Sequence, residues 1–189
     1  MEINVGISNR HVHLTEEVFK KLFGEKEIDQ VKPLTQPGQF ASSFKVTIKT
    51  EKDIIENVRV LGPYRKYNQV EISKTDAFKL GLNPPVRNSG ELENSESVTL
   101  IGTNGEEFIE NCCIIPARHI HINPEDVIKF GLEGKKTVKV KVNTEKGGIM
   151  DNVYIKPASN SYFEMHVDTD DGNAFLLKQG DTVEIINEN

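Results

Sequence analysis

Four of the chain's five histidines lie in two pairs that share the spacing His-x-His. The first pair is His11 and His13, and the second pair is His119 and His121. Residues two apart on a β-strand point to the same face, with α-carbons about 6.6 Å apart, so two imidazoles can converge on one metal ion. A single pair of this kind is more often structural than metal-binding. Two copies in the same five-residue frame, Arg-His-x-His with a hydrophobic residue after it, favour metal binding.

A weaker repeat supplies a third candidate ligand to each pair. Residues 69–73 resemble residues 164–168, and each segment follows a short β-branched strand and precedes a short helical segment. In this alignment Glu71 lies opposite His166, the fifth histidine. Three protein ligands and an open position form the arrangement of a catalytic zinc site, and imidazole with carboxylate suits zinc among the borderline metals. The sequence therefore predicts two zinc sites per chain.

The segments around these residues predict a mainly β fold with short helices. Thr15 and Asn123 are good N-caps after each His-x-His pair, and glycine ends each helical segment. Short β-branched segments predict strands at residues 44–50, 97–102, 112–115, 137–142 and 182–186. Many short strands with few helical turns predict two small β-barrels capped by short α-helices and related by internal duplication. The Pro- and Asn-rich segment 83–90 is the expected joint between the halves.

Composition excludes several classes of protein. The 189 residues include 23 Lys and Arg against 29 Asp and Glu, a net charge of −6, which argues against a nucleic-acid backbone as the main partner. No apolar run approaches the roughly 20 residues that cross a bilayer, so we expect a cytoplasmic protein. The two cysteines, Cys112 and Cys113, are adjacent, and we interpret them as reduced thiols in a buried strand.

Two arginines are candidates for binding phosphate. Arg65 lies in a tight loop six residues before Glu71, and the planar guanidinium suits bidentate contact with phosphate oxygens. Arg87 lies in a turn with Asn88, Ser89 and Gly90. A single arginine is more often solvated than functional, and the proximity of Arg65 to Glu71 makes it the better candidate.

Together these motifs resemble the PduL-type phosphotransacylases, also called phosphate propanoyltransferases. The resemblance runs over essentially the whole chain and rests on residues 6–14, 61–65, 69–73, 85–90, 117–121 and 164–170. It implies a pair of β-barrels with two zinc ions between them. The first half would be residues 10–116 and the second half residues 117–189, completed by the N-terminal strand 1–9. Members look dimeric, so the resemblance implies a homodimer.

The resemblance also implies roles for individual residues. His11, His13 and Glu71 would hold one zinc ion, and the sulfur of coenzyme A would complete its coordination. His119, His121 and His166 would hold the other zinc ion together with water. Arg65 would hold phosphate, with Ser89 nearby. The residues that would contact coenzyme A, a substrate, are less certain than the metal ligands. They are Ile7, Ser8, Asn9, Arg59, Asn173 and Lys52.

The implied activity is a phosphate acyltransferase that interconverts a short-chain acyl-CoA, propanoyl-CoA or acetyl-CoA, plus phosphate with acyl phosphate plus coenzyme A. Zinc lowers the pKa of a bound thiol, so a coenzyme A thiolate would attack the acyl phosphate directly. Members associated with microcompartments carry an extra N-terminal amphipathic extension. Because Gly6 follows Met1 so closely, we expect no microcompartment shell as a partner.

Two alternatives come from other classes. A cupin-like metal-dependent oxygenase fits the spacing from the pairs to Glu17 and Glu125, although the capping signals place both glutamates in helices. A non-catalytic zinc-stapled β-barrel would require closed sites with four protein ligands, whereas each cluster here has three.

Overall fold

The computed structural model describes residues 1–159 and 161–186. Within these residues the chain forms fourteen β-strands and four α-helices. The strands are β1 (Glu2–Ser8), β2 (His11–His13), β3 (Lys32–Pro33), β4 (Phe40–Lys49), β5 (Ile54–Gly62), β6 (Gln69–Glu71), β7 (Val86–Arg87), β8 (Glu96–Ile101), β9 (Glu106–Pro116), β10 (His119–Ile122), β11 (Thr137–Val142), β12 (Gly148–Pro157), β13 (Glu164–Asp168) and β14 (Thr182–Ile186). The helices are α1 (Glu16–Phe23), α2 (Lys74–Leu80), α3 (Pro124–Lys129) and α4 (Thr169–Ala174).

The chain divides into two compact units, and each contains a closed barrel. The unit Arg10–Pro116 closes six strands in the order β4-β5-β2-β6-β9-β8, because β8 pairs with both β9 and β4. We call it the first barrel. The other unit, the second barrel, combines Met1–Asn9 with the chain from Ala117 onward and closes β1-β13-β10-β12-β11-β14. Residues 83–90, expected as a joint, instead lie inside the first unit.

The two barrels repeat one pairing pattern, which confirms the prediction of an internally duplicated, mainly β fold. Strands β2 and β10 each have one parallel neighbour, β5 or β12, and one antiparallel neighbour, β6 or β13. The next strand along the ring, β9 or β1, is parallel to its neighbour in both barrels. Each barrel is thus completed by the strand that precedes the other barrel's His-x-His pair.

The residue between the histidines of each pair anchors that strand in its own core. Val12 and Ile120 are fully buried in separate apolar clusters, one for each barrel. Because side chains alternate along a strand, the flanking histidines lie on the opposite face from these core residues. Burying an apolar side chain of this size stabilises the fold by roughly 1.5–3 kcal/mol, which fixes the direction in which the histidines point.

The helices begin where the capping signals predict. The Thr15 hydroxyl accepts a hydrogen bond from the backbone N–H of Val18, and Pro124 begins α3 directly after Asn123. Helix α1 ends at Gly24, whose φ of 76° favours glycine. Among the helices described, none has the length and apolar character needed to span a membrane.

Candidate metal centres

The first candidate centre lies on strands β2 and β6 of the first barrel. His11 is directly opposite Glu71 in the antiparallel register, and His13 lies two residues further along the same face. Potential ligand atoms of His11, His13 and Glu71 all lie within 4.8 Å of one another. The His11 Nε2 atom is 3.4 Å from Glu71 Oε2. This first cluster therefore offers two imidazoles and one carboxylate converging on one point.

The environment of His13 fits a metal ligand. Its Nδ1 atom is buried and has no hydrogen-bond partner among the described residues. Burial lowers the pKa of His13 well below its usual value, the neighbouring His11 and Arg65 lower it further, and the Leu61 backbone opposes the shift. His13 is therefore a neutral imidazole at pH 7, which is the form that binds metals. A buried nitrogen without a partner costs free energy, and coordination to a metal ion would satisfy it.

The second candidate centre repeats this geometry on β10 and β13. His119 lies opposite His166 in the antiparallel register, and potential ligand atoms of His119, His121 and His166 lie within 4.8 Å of one another. The Nε2 atoms of His119 and His121 are 3.1 Å apart. Nδ1 of His119 lies 2.8 Å from the Ala117 carbonyl oxygen, which can only accept. That contact keeps the proton on Nδ1 and leaves a lone pair on Nε2.

Burial also keeps two histidines of the second cluster neutral. It lowers the pKa of His119 well below its usual value, with a further contribution from Lys156. It lowers the pKa of His121 to about 4, and the neighbouring His166 lowers it further. At pH 7 both imidazoles retain the lone pairs that a metal ion requires. The residues of both clusters therefore fit a bound metal ion of the borderline class.

Two residues that the sequence analysis missed support the third ligands. Gln69 and Glu164 occupy equivalent positions, opposite His13 and His121 respectively. The Gln69 amide donates to Glu71 Oε1 at 2.6 Å, and Glu164 Oε2 lies 2.8 Å from His166 Nε2. The signal was present in the repeat, since both residues stand two positions before the third ligand on the same strand face. Partners of this kind orient metal ligands and tune their basicity.

The surroundings of His166 also involve Tyr162 and Gly6. The Tyr162 hydroxyl oxygen is 2.6 Å from His166 Nε2, and its ring stacks on His121 with centroids 5.4 Å apart. Gly6 pairs with His166 on the neighbouring strand β1. A Cβ at this position would lie 2.9 Å from both Glu164 Oε2 and His166 Nε2, so the contact between the carboxylate and the imidazole requires glycine here.

Arg65 is a half-buried cation near the first cluster. Its backbone N–H donates to the Leu14 carbonyl at 2.8 Å, and one guanidinium NH₂ group donates to the Gln39 side-chain oxygen at 2.8 Å. Its Nε is buried without a hydrogen-bond partner among the residues described. An amide partner fixes the guanidinium without neutralising it. Arg87, in contrast, donates to the neighbouring Val86 carbonyl near the surface.

Ser89 is connected to the first cluster through Gln69. The Gln69 amide nitrogen donates to the Ser89 hydroxyl oxygen at 2.8 Å, and its amide oxygen accepts from the backbone N–H of Gly90. The turn that contains Ser89 is therefore fixed to the strand that carries Glu71. The sequence analysis placed Ser89 near the phosphate, and this network gives the hydroxyl a defined position.

Residues predicted to contact coenzyme A are divided between the two barrels. Ser8 Oγ lies 3.5 Å from His166 Nδ1, and Ile7 packs against Gly172 in α4, the helix that contains Asn173. Asn9 follows Ser8 and ends the N-terminal segment of the second unit. In the first barrel, Arg59 is directly opposite His11 and donates to the Ser42 carbonyl at 2.7 Å.

Lys52 has a different environment from the other residues of that set. It lies in the turn between β4 and β5, and its ammonium group donates to the Phe78 carbonyl at 2.9 Å. The same group lies over the Phe78 ring, 4.9 Å from its centroid. These contacts tie Lys52 to helix α2.

The structure separates the clusters from the glutamates that suggested a cupin. Glu17 and Glu125 lie in the first turns of α1 and α3. The Glu17 carboxylate is 79% exposed and lies 3.3 Å from Lys21 Nζ. Helical glutamates of this kind do not complete a cupin site, as the capping signals predicted.

Comparison with known proteins points to one family. The family model described as "Phosphate propanoyltransferase" matches residues 4–178. A phosphate propanoyltransferase of Thermotoga maritima is 50% identical over 186 residues, which are 97% of this chain and 89% of the relative. Phosphate propanoyltransferases of Rhodopseudomonas palustris and Rhodobacter capsulatus are each 42% identical, over 97% of this chain and 82% and 86% of those relatives.

Proposed function

Because this chain belongs to the phosphate propanoyltransferase family, we propose that it interconverts propanoyl-CoA or acetyl-CoA plus phosphate with the acyl phosphate plus coenzyme A. The observation that best supports this reaction is a half-buried guanidinium, held by Gln39, close to a cluster of candidate metal ligands. The charge of Arg65 is close enough to lower the pKa of His13. An anion-binding group and a metal-binding group thus share one neighbourhood within the first barrel.

We propose zinc as the metal at both clusters. His11, His13 and Glu71 would hold one ion, and His119, His121 and His166 would hold the other. A zinc ion would supply a Lewis acid that lowers the pKa of a bound thiol or polarises a carbonyl oxygen. Three protein ligands from each cluster would leave room for the coenzyme A sulfur at the first site and for water at the second site.

In the proposed reaction Arg65 is the catalytic residue and binds the phosphate group. Its guanidinium would donate to phosphate oxygens and balance the charge that develops as the phosphate leaves. Gln39 holds the guanidinium in place, and Ser89 would supply a further hydrogen bond to phosphate. Because these groups are held in place before substrate binds, little free energy is needed to order them during the reaction.

The bond changes need no nucleophile from the protein. The sulfur of the coenzyme A thiolate forms a bond to the acyl carbonyl carbon, and the bond from that carbon to the phosphate oxygen breaks. The thiol proton leaves to solvent, and phosphate departs with the electron pair of the broken bond. The chain's two cysteines cannot replace coenzyme A, because burial raises the pKa of Cys112 to about 12 and that of Cys113 well above its usual value.

Coenzyme A would lie along Ile7, Ser8 and Asn9, with Arg59 and Asn173 as further contacts. Ser8 is the best supported of these residues because its hydroxyl lies beside His166. Lys52 is the weakest of the set because its ammonium group is already bound to α2. We further propose a homodimer, which light scattering on the purified protein would test.

The proposal is tested by assaying purified protein with acetyl-, propanoyl- and butanoyl-CoA in the presence and absence of phosphate. We expect thiol release that depends on phosphate, with bound zinc measured on the same sample at two ions per chain. Chelation should abolish activity and added zinc should restore it. Thiol release that is independent of phosphate, or full activity after verified loss of all metal, would contradict the proposal. Oxygen consumption with bound iron or manganese would support the cupin-like alternative.

A further inference from the structure

An arginine stands immediately before each His-x-His pair, and both arginines make the same contact. Arg10 binds Asp76 through two parallel contacts of 2.9 Å, from Nε to Oδ2 and from Nη2 to Oδ1. Arg118 binds Asp171 in the same way, with both distances at 2.7 Å. Each aspartate is the third residue of a short helix, α2 or α4. The duplication has therefore preserved a bidentate ion pair, and the proposed reaction does not use it.

Each ion pair lies at the end of the backbone pairing between the two strands that carry the proposed metal ligands. The ladder between β2 and β6 ends at His11 opposite Glu71, and the ladder between β10 and β13 ends at His119 opposite His166. The arginine is the next residue beyond that end on one strand. The aspartate belongs to the helix that follows the other strand. The contact thus joins the two ligand-bearing strands where their backbone pairing stops.

The aspartates are themselves fixed. Asp76 is 6% exposed and takes part in a reciprocal cap with Ser73, and the backbone N–H of Asp171 donates to the Asp168 side chain at 2.8 Å. A bidentate pair with one buried partner has a defined geometry, whereas an exposed pair held by one contact contributes little. The geometry therefore differs from that of a solvated surface salt bridge.

We propose that Arg10–Asp76 and Arg118–Asp171 are positioning pairs that hold the third metal ligand of each cluster against its His-x-His strand. The inference rests on the proposed metal sites and adds residues that touch neither metal nor substrate. Without the ion pair, the last backbone pairing between the two strands can separate. Glu71 or His166 then moves away from the two histidines. Each pair should act on its own cluster only, because it joins strands of one barrel.

The test uses metal affinity, measured with zinc alone by competition against a chromophoric chelator. His166→Ala leaves the first cluster as the intact one, and His13→Ala leaves the second. In each background we compare Arg10→Lys with Arg118→Lys, since lysine keeps the charge and loses the fork. We expect Arg10→Lys to weaken zinc binding at the first cluster by about tenfold to a hundredfold, and at the second cluster by less than about twofold. Arg118→Lys should give the opposite pattern.

Two control variants separate positioning from general loss of stability. Lys21→Gln removes an ion pair of the first barrel that lies outside the cluster, where Lys21 and Glu107 are 2.8 Å apart. Val140→Ala weakens the core of the second barrel. Neither should change zinc affinity by more than about twofold in folded protein. The inference fails if Val140→Ala weakens zinc binding as much as Arg118→Lys, or if both lysine variants leave affinity unchanged. Failure of the parent protein to bind zinc would instead refute the metal sites themselves.

Discussion

The two barrels place equivalent strands around their clusters but differ at the third ligand and at its partner. In the first barrel the candidate ligand Glu71 accepts hydrogen bonds, and the neighbouring Gln69 donates to it. In the second barrel the ligand His166 has a ring nitrogen beside the carboxylate of Glu164, which accepts. Ligand and partner have thus changed together. A duplicated scaffold can diverge in ligand type when the adjacent residue on the strand changes to match.

The exchange also gives the clusters different types of side chain. The first cluster contains a carboxylate side chain, Glu71, whereas the second contains only imidazoles. A positively charged side chain lies near each cluster, and the two side chains come from different elements. Arg65, on the loop after β5, lowers the pKa of His13, and Lys156, opposite His121 on β12, lowers the pKa of His119. The two candidate sites therefore differ in the type of the third side chain and in the element that supplies the nearby cation.

The largest expected effect concerns Arg65, which belongs to the first barrel only. Arg65→Ala should lower kcat by about 10² to 10³ because the phosphate oxygens lose an oriented donor. Zinc content and coenzyme A affinity should stay nearly unchanged, since Arg65 is neither a ligand nor a thiol partner. Arg65→Lys should recover a minor part of the activity because an ammonium group cannot present the fork. The measurement is the phosphate dependence of the rate for the three proteins.

Superimposed phosphate curves for the parent, Arg65→Lys and Arg65→Ala would place the phosphate site elsewhere. Arg87 with Ser89 would then be the next candidate. Arg87→Ala is the matched control, because this arginine is near the surface and donates to an adjacent backbone carbonyl. Its loss should change the rate by less than about threefold, as is usual for exposed charges.

The matched partners provide the second prediction. Gln69→Ala should weaken zinc binding at the first cluster, and Glu164→Ala at the second, each by about tenfold to a hundredfold. The physical reason is that Glu71 and His166 lose the hydrogen bond that orients them. Chelator competition in single-cluster backgrounds would measure both effects. Equal weakening of both clusters by either variant would show that the barrels do not act as independent sites.

The clusters should also differ in how they bind coenzyme A. His13→Ala should raise the coenzyme A dissociation constant by about tenfold or more, because the proposed open position of the first cluster receives the sulfur. His166→Ala should reduce kcat with a smaller effect on coenzyme A binding. Calorimetric titration with coenzyme A, with zinc counted in both variants, tests this. Equal loss of affinity in the two variants would contradict the division of roles.

Sequence alone predicted the duplicated fold and the grouping of the candidate ligands, because alternation along a strand is a local property. Val12 between His11 and His13 already fixes which side chains share a face. The spacing also aligned Glu71 with His166, and the strand registers confirm that alignment. The boundary between units could not be read from Pro and Gly content. The boundary depends on which strands pair with β1 and which pair with β9. These are long-range pairings that local sequence does not specify.

The contacts that support the two clusters also could not be predicted from local sequence. Gln39 lies 26 residues before Arg65, and nothing in the spacing shows that the two side chains meet. Gly6 and His166 are separated by 160 residues, so the requirement for glycine appears only once β1 is placed beside β13. The partners Gln69 and Glu164 were the exception, because they repeat at the same position before each third ligand.

The smallest expected effect is the acid sensitivity of the metal-free protein. Burial lowers the pKa of His119 and His121 in the second cluster and of His13 in the first. These side chains are neutral in the folded state at pH 6, while in the unfolded chain they take up protons near pH 6.5. The unfolded state then binds more protons, so the free energy of unfolding falls as pH decreases from 6.5 towards about 4, the value for His121. The slope is at most about 1.4 kcal/mol per pH unit for each proton.

Urea denaturation of chelator-treated protein between pH 7 and pH 4.5 measures this slope. Replacing His119 and His121 together with glutamine should remove about twice as much of the slope as His13→Gln, because two depressed groups are lost instead of one. A slope left unchanged by the double replacement would show that His119 and His121 titrate in the folded, metal-free protein as they do in the unfolded chain.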